Sequence, residues 1–236
     1  MNKPGKSPKE KLASEWVAKA LRLFQASSSE EALAMKAYMK NRFEFFGIKK
    51  PVRAELMKIL YASEGIPGND IFREVACLLW DNPNRESHYL AMDVLFRNRK
   101  NFIGDDIYLL EEFMRSNSWW DSIDFISPKL ASHWFKLFPS RKEEILFKWN
   151  TDGDFWLRRA SLIAQLHGKQ DVDLDLQFRL IIPLLKEKEF FIRKAIGWSL
   201  REIAKTHPEP VLAFTDQHEM SGLSRREALK HFPDKR

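Results

Sequence analysis

Apolar residues recur at helical spacing along most of the chain. The first such set, Trp16, Ala20 and Phe24, keeps an interval of four and marks one face of a helix. The same spacing predicts further helices over roughly 52–63, 69–81, 86–98, 105–116, 155–167, 174–187, 190–205 and 225–231. Short clusters of Gly, Pro, Asn or Asp separate them, and no segment alternates with the period of two that predicts a strand. The pattern therefore predicts an all-α chain.

Local signals predict where several helices begin and end. Ser28 followed by Glu31 three residues later is a capping-box pattern that would open the second helix. Gly47 suits the end of a helix and Pro51 suits a first helical turn. Pro128 should end or kink the helix that it meets, because proline has no N–H to donate and crowds the preceding turn.

A repeat appears in the second half of the chain. The run Phe155-Trp156-Leu157-Arg158-Arg159-Ala160 is echoed 35 residues later by Phe190-Phe191-Ile192-Arg193-Lys194-Ala195. One period earlier lies Ser118-Trp119-Trp120-Asp121-Ser122-Ile123-Asp124-Phe125. In this register Asp124 matches Arg159 and Lys194, so that one structural position holds an acid once and a base twice. The aromatic residues Phe155, Trp156, Phe190 and Phe191 are expected to pack in the core.

Helix pairs that repeat at about 35 to 45 residues are typical of an α-solenoid of the HEAT or armadillo type. Residues 1–8 have the composition of a flexible tail, so a single HEAT-like repeat domain is expected over 9–236. Matched positions line up along one face of such an array. We therefore expect a curved solenoid with a concave basic face that carries Asp124, Arg159 and Lys194, a wall suited to a nucleic-acid backbone and its bases.

The amino-acid composition narrows the possible partners, sites and locations of the protein but does not identify an activity. The 236 residues carry 39 Lys and Arg against 33 Asp and Glu, a net charge of +6 that is a weak pointer to a polyanionic partner. Cys77 is the only cysteine and lies in an apolar run, so a buried small side chain is expected there. The six histidines are scattered, which gives no support for a zinc site. No segment has the pattern of a signal peptide or a membrane span, so the chain is expected to be soluble and cytoplasmic.

The order and spacing of several motifs from about residue 30 onward resemble the AlkD-like DNA alkylation-repair glycosylases, which are all-α HEAT-like proteins. Besides the three repeat segments, the matching motifs are Ala37-Tyr38-Met39-Lys40-Asn41, Phe46-Gly47-Ile48, Ala195-Ile196-Gly197-Trp198 and Leu223-Ser224-Arg225-Arg226-Glu227-Ala228-Leu229-Lys230. The resemblance implies a catalytic carboxylate at Asp124, a paired arginine at Arg159, and lesion-facing tryptophans at Trp120 and Trp198. The basic and aromatic candidates for DNA contact are Tyr38, Lys49, Arg158, Arg193, Lys194 and Arg201.

The activity that the resemblance implies is hydrolysis of the N-glycosidic bond of cationic N3- or N7-alkylated purines in duplex DNA, as in base excision repair. Trp120 and Asp124 are four apart, so a helix places an aromatic face and a carboxylate side by side. This pair suits a cation, and Asp124 can stabilise positive charge that develops on the deoxyribose. Arg159 can hold a phosphate or keep Asp124 ionised.

Two alternative hypotheses assign the chain to a class of protein other than a glycosylase. A HEAT-like scaffold that binds DNA or protein without catalysis is the main alternative, although an acid on a DNA-facing wall would repel phosphate. An RNA-binding repeat protein would need a regular base-reading pattern in each repeat, which this sequence lacks. Under the glycosylase hypothesis we expect a monomeric, monofunctional enzyme without metal or organic cofactor, in a bacterial-type nucleoid-associated cytoplasmic location. The sequence leaves open the order of preference among lesions and whether the base is flipped.

Overall fold

The computed structural model describes residues 7–68 and 70–232, and their regular structure is helical. The chain divides into two compact units that meet in sequence between Asn101 and Phe102. The helices of the first unit are α1 (Pro8–Ala26), α2 (Glu31–Tyr38), α3 (Lys50–Glu64), α4 (Phe72–Trp80), α5 (Arg85–Asn98) and a 3-10 helix (Arg99–Asn101). The predicted all-α class is confirmed, and the only pairing of strand type among the described residues is an isolated bridge between Glu44 and Asn84.

The second unit contains the remaining helices. They are α6 (Asp106–Arg115), α7 (Trp120–Phe125), a π-helix (Ile126–Ala131), α8 (Ser132–Leu137), a 3-10 helix (Pro139–Arg141), α9 (Lys142–Asn150), α10 (Phe155–Ile163), a 3-10 helix (Lys169–Asp171), α11 (Leu174–Ile181), a 3-10 helix (Ile182–Leu184), α12 (Phe190–Ala204), α13 (Pro208–Gln217) and α14 (Gly222–Ala228). Within each unit helices pack on helices that lie nearby in the sequence, as α9 does on α10 and α12 does on α14, an arrangement compatible with a solenoid of helical repeats.

In the first unit, α1 packs against α3 and α4, and α4 packs against α5. The segment before α3 is held by Glu86, whose fully buried carboxylate accepts the backbone N–H groups of Phe46, Gly47 and Ile48, each at 3.0 Å. Gly47 has a φ of +89°, and an added Cβ would lie 2.4 Å from the carbonyl oxygen of Ser29. Only glycine fits this turn, which lies between α2 and α3 rather than at the end of a helix.

Helix α10 lies at the centre of the second unit. It packs against α6, α7, α9, α11 and α12, and its residues Leu157 and Ala160 are fully buried. The 35-residue echo corresponds to helix starts, because α7, α10 and α12 begin at Trp120, Phe155 and Phe190. The predicted repeat is therefore a structural one, and it brings three matched helices side by side with α10 in the middle.

The helix that contains Pro128 does not end there. It continues from Trp120 to Leu137, and the residues Ile126–Ala131 widen into a π-helix. A π segment changes the hydrogen-bonding register of the backbone, which is one way to accommodate a residue without an N–H. Its first residue follows Asp124 by two positions, and such segments occur frequently at functional sites.

Three further local predictions were wrong. The capping box at Ser28 is absent, and the backbone N–H of Glu31 is instead bonded to the hydroxyl of Ser29, which itself donates to the Gly47 carbonyl. A capping box is found on α1, between Ser7 and Glu10. Cys77 is half-buried because it lies at the edge of the buried face of α4. Phe190, which was expected in the core, is exposed.

Two predictions about organisation are not tested. The predicted tail over 1–8 falls mainly on residues 1–6, which lie outside the described residues, whereas Ser7 caps α1 and Pro8 is its first residue. The single repeat domain over 9–236 and its concave basic face stay predictions. Across 7–68 and 70–232, helices long and apolar enough to span a membrane are absent.

Candidate functional site

Asp124 and Arg159 form a bidentate ion pair between α7 and α10. Arg159 Nε donates to Asp124 Oδ1 at 2.8 Å and Arg159 Nη2 donates to Oδ2 at 2.9 Å. The remaining terminal nitrogen, Nη1, donates to the carbonyl oxygen of Phe191 at 2.6 Å, at the start of α12. One guanidinium therefore links the three matched helices α7, α10 and α12, and it holds the carboxylate in a defined orientation.

The two partners differ in exposure. The Arg159 side chain is 5% exposed and that of Asp124 is 19% exposed, so the carboxylate keeps some accessible surface while its partner lies beneath it. The Cζ atom of Arg159 also lies 5.8 Å from the Phe191 ring centroid and 5.9 Å from that of Trp198. Aromatic faces at this distance offset part of the cost of burying the cation.

Two opposing effects act on the pKa of Asp124. Burial raises the pKa of its carboxyl above the ordinary value of an aspartate, and the nearby charge of Asp121 raises it further. The charge and hydrogen bonds of Arg159 lower the pKa of Asp124 and oppose this rise. Arg159 thus favours the ionised carboxylate in a setting that would otherwise favour the protonated acid.

Trp120 and Trp198 lie on the helices that flank α10. Trp120 is the first residue of α7, one turn before Asp124, and Trp198 lies within α12; both are half-buried. Because Trp198 lies within 5.9 Å of Arg159 and Trp120 lies one turn from Asp124, both tryptophans belong to the surroundings of the ion pair. The structure therefore brings the four predicted catalytic residues into one region of the second unit.

An aromatic cluster lies at the starts of the same helices. The Phe155 and Phe191 rings stack with centroids 6.4 Å apart, and Trp156 lies 4.9 Å from Phe191. Trp156 is buried, as predicted, but Phe190 is 50% exposed, so the expectation that it packs in the core was wrong. The first residue of α12 lies outside the stripe that faces α10, whereas Ile192 and Ala195 are fully buried.

Lys194 and Arg201 share one acidic partner that sequence reasoning missed. Glu227 of α14 accepts from Lys194 Nζ at 2.8 Å and from Arg201 Nη1 at 2.5 Å. The hydrogen bond from Lys194 holds the pKa of Glu227 below its ordinary value, and Arg201 lowers it further. Glu227 lies in one of the matched motifs, but nothing in the sequence identified its partners. The two cations keep donor capacity, since a lysine ammonium has three N–H donors and an arginine guanidinium has five, and each makes one contact to Glu227.

Gly197 allows α14 to approach α12. A Cβ at this position would lie 2.4 Å from the Glu227 Cβ and 2.7 Å from the Ser224 carbonyl oxygen. Gly197 therefore permits close packing of the two helices. The contact also brings Glu227 within reach of Lys194 and Arg201.

The other basic candidates have different surroundings. Arg158 Nη1 donates to the carbonyl oxygens of Asp152 and Gly153 at 2.6 and 3.1 Å, so its guanidinium is held by its own loop. Arg193 makes no such bond, and its buried Nε has no hydrogen-bond partner among the described residues. In the first unit, Lys49 Nζ lies 2.7 Å from Glu31.

Tyr38, the last residue of α2, is 69% exposed. Groups of three or more His, Cys, Asp or Glu side chains that could hold a metal ion do not occur within 7–68 and 70–232.

Comparison with known proteins identifies relatives of the whole fold. The family model of the DNA alkylation repair enzymes matches residues 20–232. A solved structure described as a predicted DNA alkylation repair enzyme from Enterococcus faecalis is 32% identical and superposes with a TM-score of 0.79, covering 86% of this chain and 95% of that one. The comparison with curated proteins finds no match. On the extent of the family match and this likeness, the chain belongs to the family of DNA alkylation repair enzymes.

Proposed function

We propose that this protein is a monofunctional DNA glycosylase that hydrolyses the N-glycosidic bond of cationic N3- or N7-alkylated purines in duplex DNA. The observation that carries the proposal is the Asp124–Arg159 pair, in which a partly exposed carboxylate is held ionised and oriented by a buried guanidinium. In a non-catalytic scaffold the pair would serve only to link the helices, a role that does not require the carboxylate to keep accessible surface.

The proposed reaction does not require a strong general acid. An alkylated purine with a positive charge leaves as a neutral base when the C1′–N bond breaks and its electron pair moves to the base nitrogen. Positive charge then accumulates on the deoxyribose, which becomes oxocarbenium-like. A fixed anion stabilises such a charge most effectively where water is partly excluded, as beside the half-buried Asp124.

Water completes the reaction. Its oxygen forms the new bond to C1′, and the proton that it releases passes to Asp124 or to solvent. Asp124 can therefore orient the water and accept its proton as well as stabilise the sugar. Arg159 acts through Asp124, since each of its three nitrogens already donates to the carboxylate or to the Phe191 carbonyl oxygen. Arg159 thus serves as a positioning residue.

Trp120 and Trp198 supply aromatic surface on either side. Their π faces attract cations, so they favour the alkylated base or the developing sugar cation over a neutral nucleotide. Of the basic candidates, Lys194 and Arg201 are held in place by Glu227 and can contact phosphate with their remaining donors.

The first test is release of free base from duplex DNA that contains 7-methylguanine, measured under single-turnover conditions in EDTA. Asp124→Asn should lower the rate constant by roughly 10²- to 10³-fold, the usual loss for one electrostatic group at a reacting centre, while DNA binding persists. The matched control is Asp121→Asn, which removes an acid from the same helix, leaves both side chains of the ion pair in place and should retain most of the activity, because the loss of the Asp121 charge favours the ionised form of Asp124.

Two outcomes would contradict the proposal. Equal rates for the wild type and Asp124→Asn would remove Asp124 from the reaction. No release of 7-methylguanine or 3-methyladenine by the wild type, with DNA binding intact, would favour the non-catalytic scaffold.

A further inference from the structure

Two arginines at matched positions of the repeat have opposite surroundings. The Nε atoms of both arginines are buried without a hydrogen-bond acceptor among the described residues. Arg158 is nevertheless held by the Asp152 and Gly153 carbonyl oxygens, and its Nε lies 3.8 Å from Glu187 Oε1. Arg193, 35 residues later, has neither an ion pair nor a side-chain hydrogen bond within the described residues. A buried N–H without an acceptor is destabilising, and Arg193 has no other bond to offset it, so Arg193 would gain from an added anion.

Arg193 lines an open cavity of about 440 Å³ in the second unit. The same cavity is lined by Lys186 and Lys188, from the segment before α12, and by Glu187 and Glu219. Lys186, Lys188 and Glu219 are solvent-exposed, whereas Arg193 is half-buried at the wall. A cavity of this size lies within the range of about 300–1,000 Å³ that is usual for sites that hold small molecules or parts of larger ones.

The charges around the cavity favour an anion. Its cationic side chains outnumber its acidic ones, and Glu187 faces the guanidinium of Arg158 at 3.8 Å. An arginine without a carboxylate partner presents the planar donor set that recognises phosphate oxygens.

The cavity and the candidate active site share helix α12. Arg193 of α12 lines the cavity, and Phe191, two residues earlier, accepts from Arg159 through its carbonyl oxygen. An extended strand of DNA with its sugar near Asp124 would carry neighbouring phosphates past the start of α12, since the backbone of DNA has one charge per phosphate along its length.

We propose that this cavity binds a backbone phosphodiester of the DNA, with Arg193 as its principal ligand and Lys186 and Lys188 as flanking charges. The proposal rests on the DNA binding in the proposed function, but not on glycosylase chemistry. It also divides the two arginines by role: Arg193 contacts DNA, and Arg158 maintains the fold of the loop before α10.

The test measures the affinity of Arg193→Gln for an undamaged DNA duplex as a function of salt concentration. Loss of one phosphate contact should weaken binding on the order of tenfold at low salt and reduce the slope of log K against log salt by about one. Inorganic phosphate should compete poorly with DNA, which separates a backbone site from a site for the free ion.

Three variants act as controls. Arg179→Gln removes the same charge from an exposed arginine that is paired with Glu143 and Asp175, and it should leave the salt slope unchanged. Arg193→Lys keeps the charge and should keep the slope. Glu219→Gln removes an acid from the cavity and should strengthen DNA binding, a result that a purely structural role for the cavity does not predict.

The proposal is overturned if Arg193→Gln folds and binds DNA with the affinity and salt slope of the wild type. If that variant does not fold, Glu219→Gln decides the matter, and weaker or unchanged DNA binding counts against the site. Failure of the wild type to release base, combined with the expected binding changes, would refute the proposed reaction while supporting the phosphate site.

Discussion

Replacing the two partners of the Asp124–Arg159 pair with apolar residues should show a strong and unequal coupling. Arg159 makes two bonds of 2.8 and 2.9 Å to the carboxylate and a third of 2.6 Å to the Phe191 carbonyl oxygen, and its side chain is 5% exposed. Asp124 is 19% exposed. The perturbations are Asp124→Leu, Arg159→Met and the double variant.

The structure predicts which of the two single substitutions lowers the free energy of unfolding more. Asp124→Leu leaves a buried guanidinium that cannot lose its proton, so the free energy of unfolding should fall by about 3–5 kcal/mol. Arg159→Met leaves a carboxyl that can take up a proton, because burial already raises its pKa, and the fall should be about 2–3 kcal/mol. In the double variant neither charge remains, so its cost should be smaller than the sum by at least about 2 kcal/mol.

The assay is urea unfolding followed by circular dichroism, repeated at neutral and mildly acidic pH. For a chain of this size each 1 kcal/mol should appear as roughly 2–4 °C in a parallel thermal scan. The difference between Arg159→Met and the wild type should shrink as pH falls, because the orphaned carboxyl becomes neutral. Additive single costs to within about 0.5 kcal/mol, or a larger cost for Arg159→Met than for Asp124→Leu, would refute this account of the pair.

Three further predictions concern the same unit. Base release at saturating protein should fall with decreasing pH through the pKa of Asp124, and the midpoint of that acid limb should lie above the pKa of an exposed aspartate; a midpoint at or below that value would contradict the effect of burial. Gly197→Ala should lower stability by about 1–3 kcal/mol, because its Cβ would lie 2.4 Å from Glu227, whereas Gly153→Ala, with open space around the added carbon, should be nearly neutral in chemical unfolding. Glu227→Gln should lower stability near neutral pH through the loss of the Lys194 contact, and since the pKa of Glu227 is depressed, the difference from the wild type should vanish as pH falls through that lowered pKa.

The sequence by itself predicted the helical class and the repeat. Periodicity depends on which face of each helix is buried, and this is recorded locally in residues such as Trp16, Ala20 and Phe24, of which Ala20 and Phe24 are fully buried. The 35-residue echo marked the equivalent helix starts at Phe155 and Phe190, because each repeat buries the same positions against its neighbours.

The tertiary structure decided which charges are available. The sequence treats Arg158 and Arg193 as equivalents, yet Arg158 donates to two carbonyl oxygens of the preceding loop, whereas Arg193 makes no side-chain hydrogen bond within residues 7–68 and 70–232. Glu227 binds Lys194 across two helices, a contact between residues 33 positions apart that no local pattern records. Composition and period can place a charged side chain on a helix, but its partner is chosen by packing between distant segments, and that choice determines whether the charge can serve a ligand.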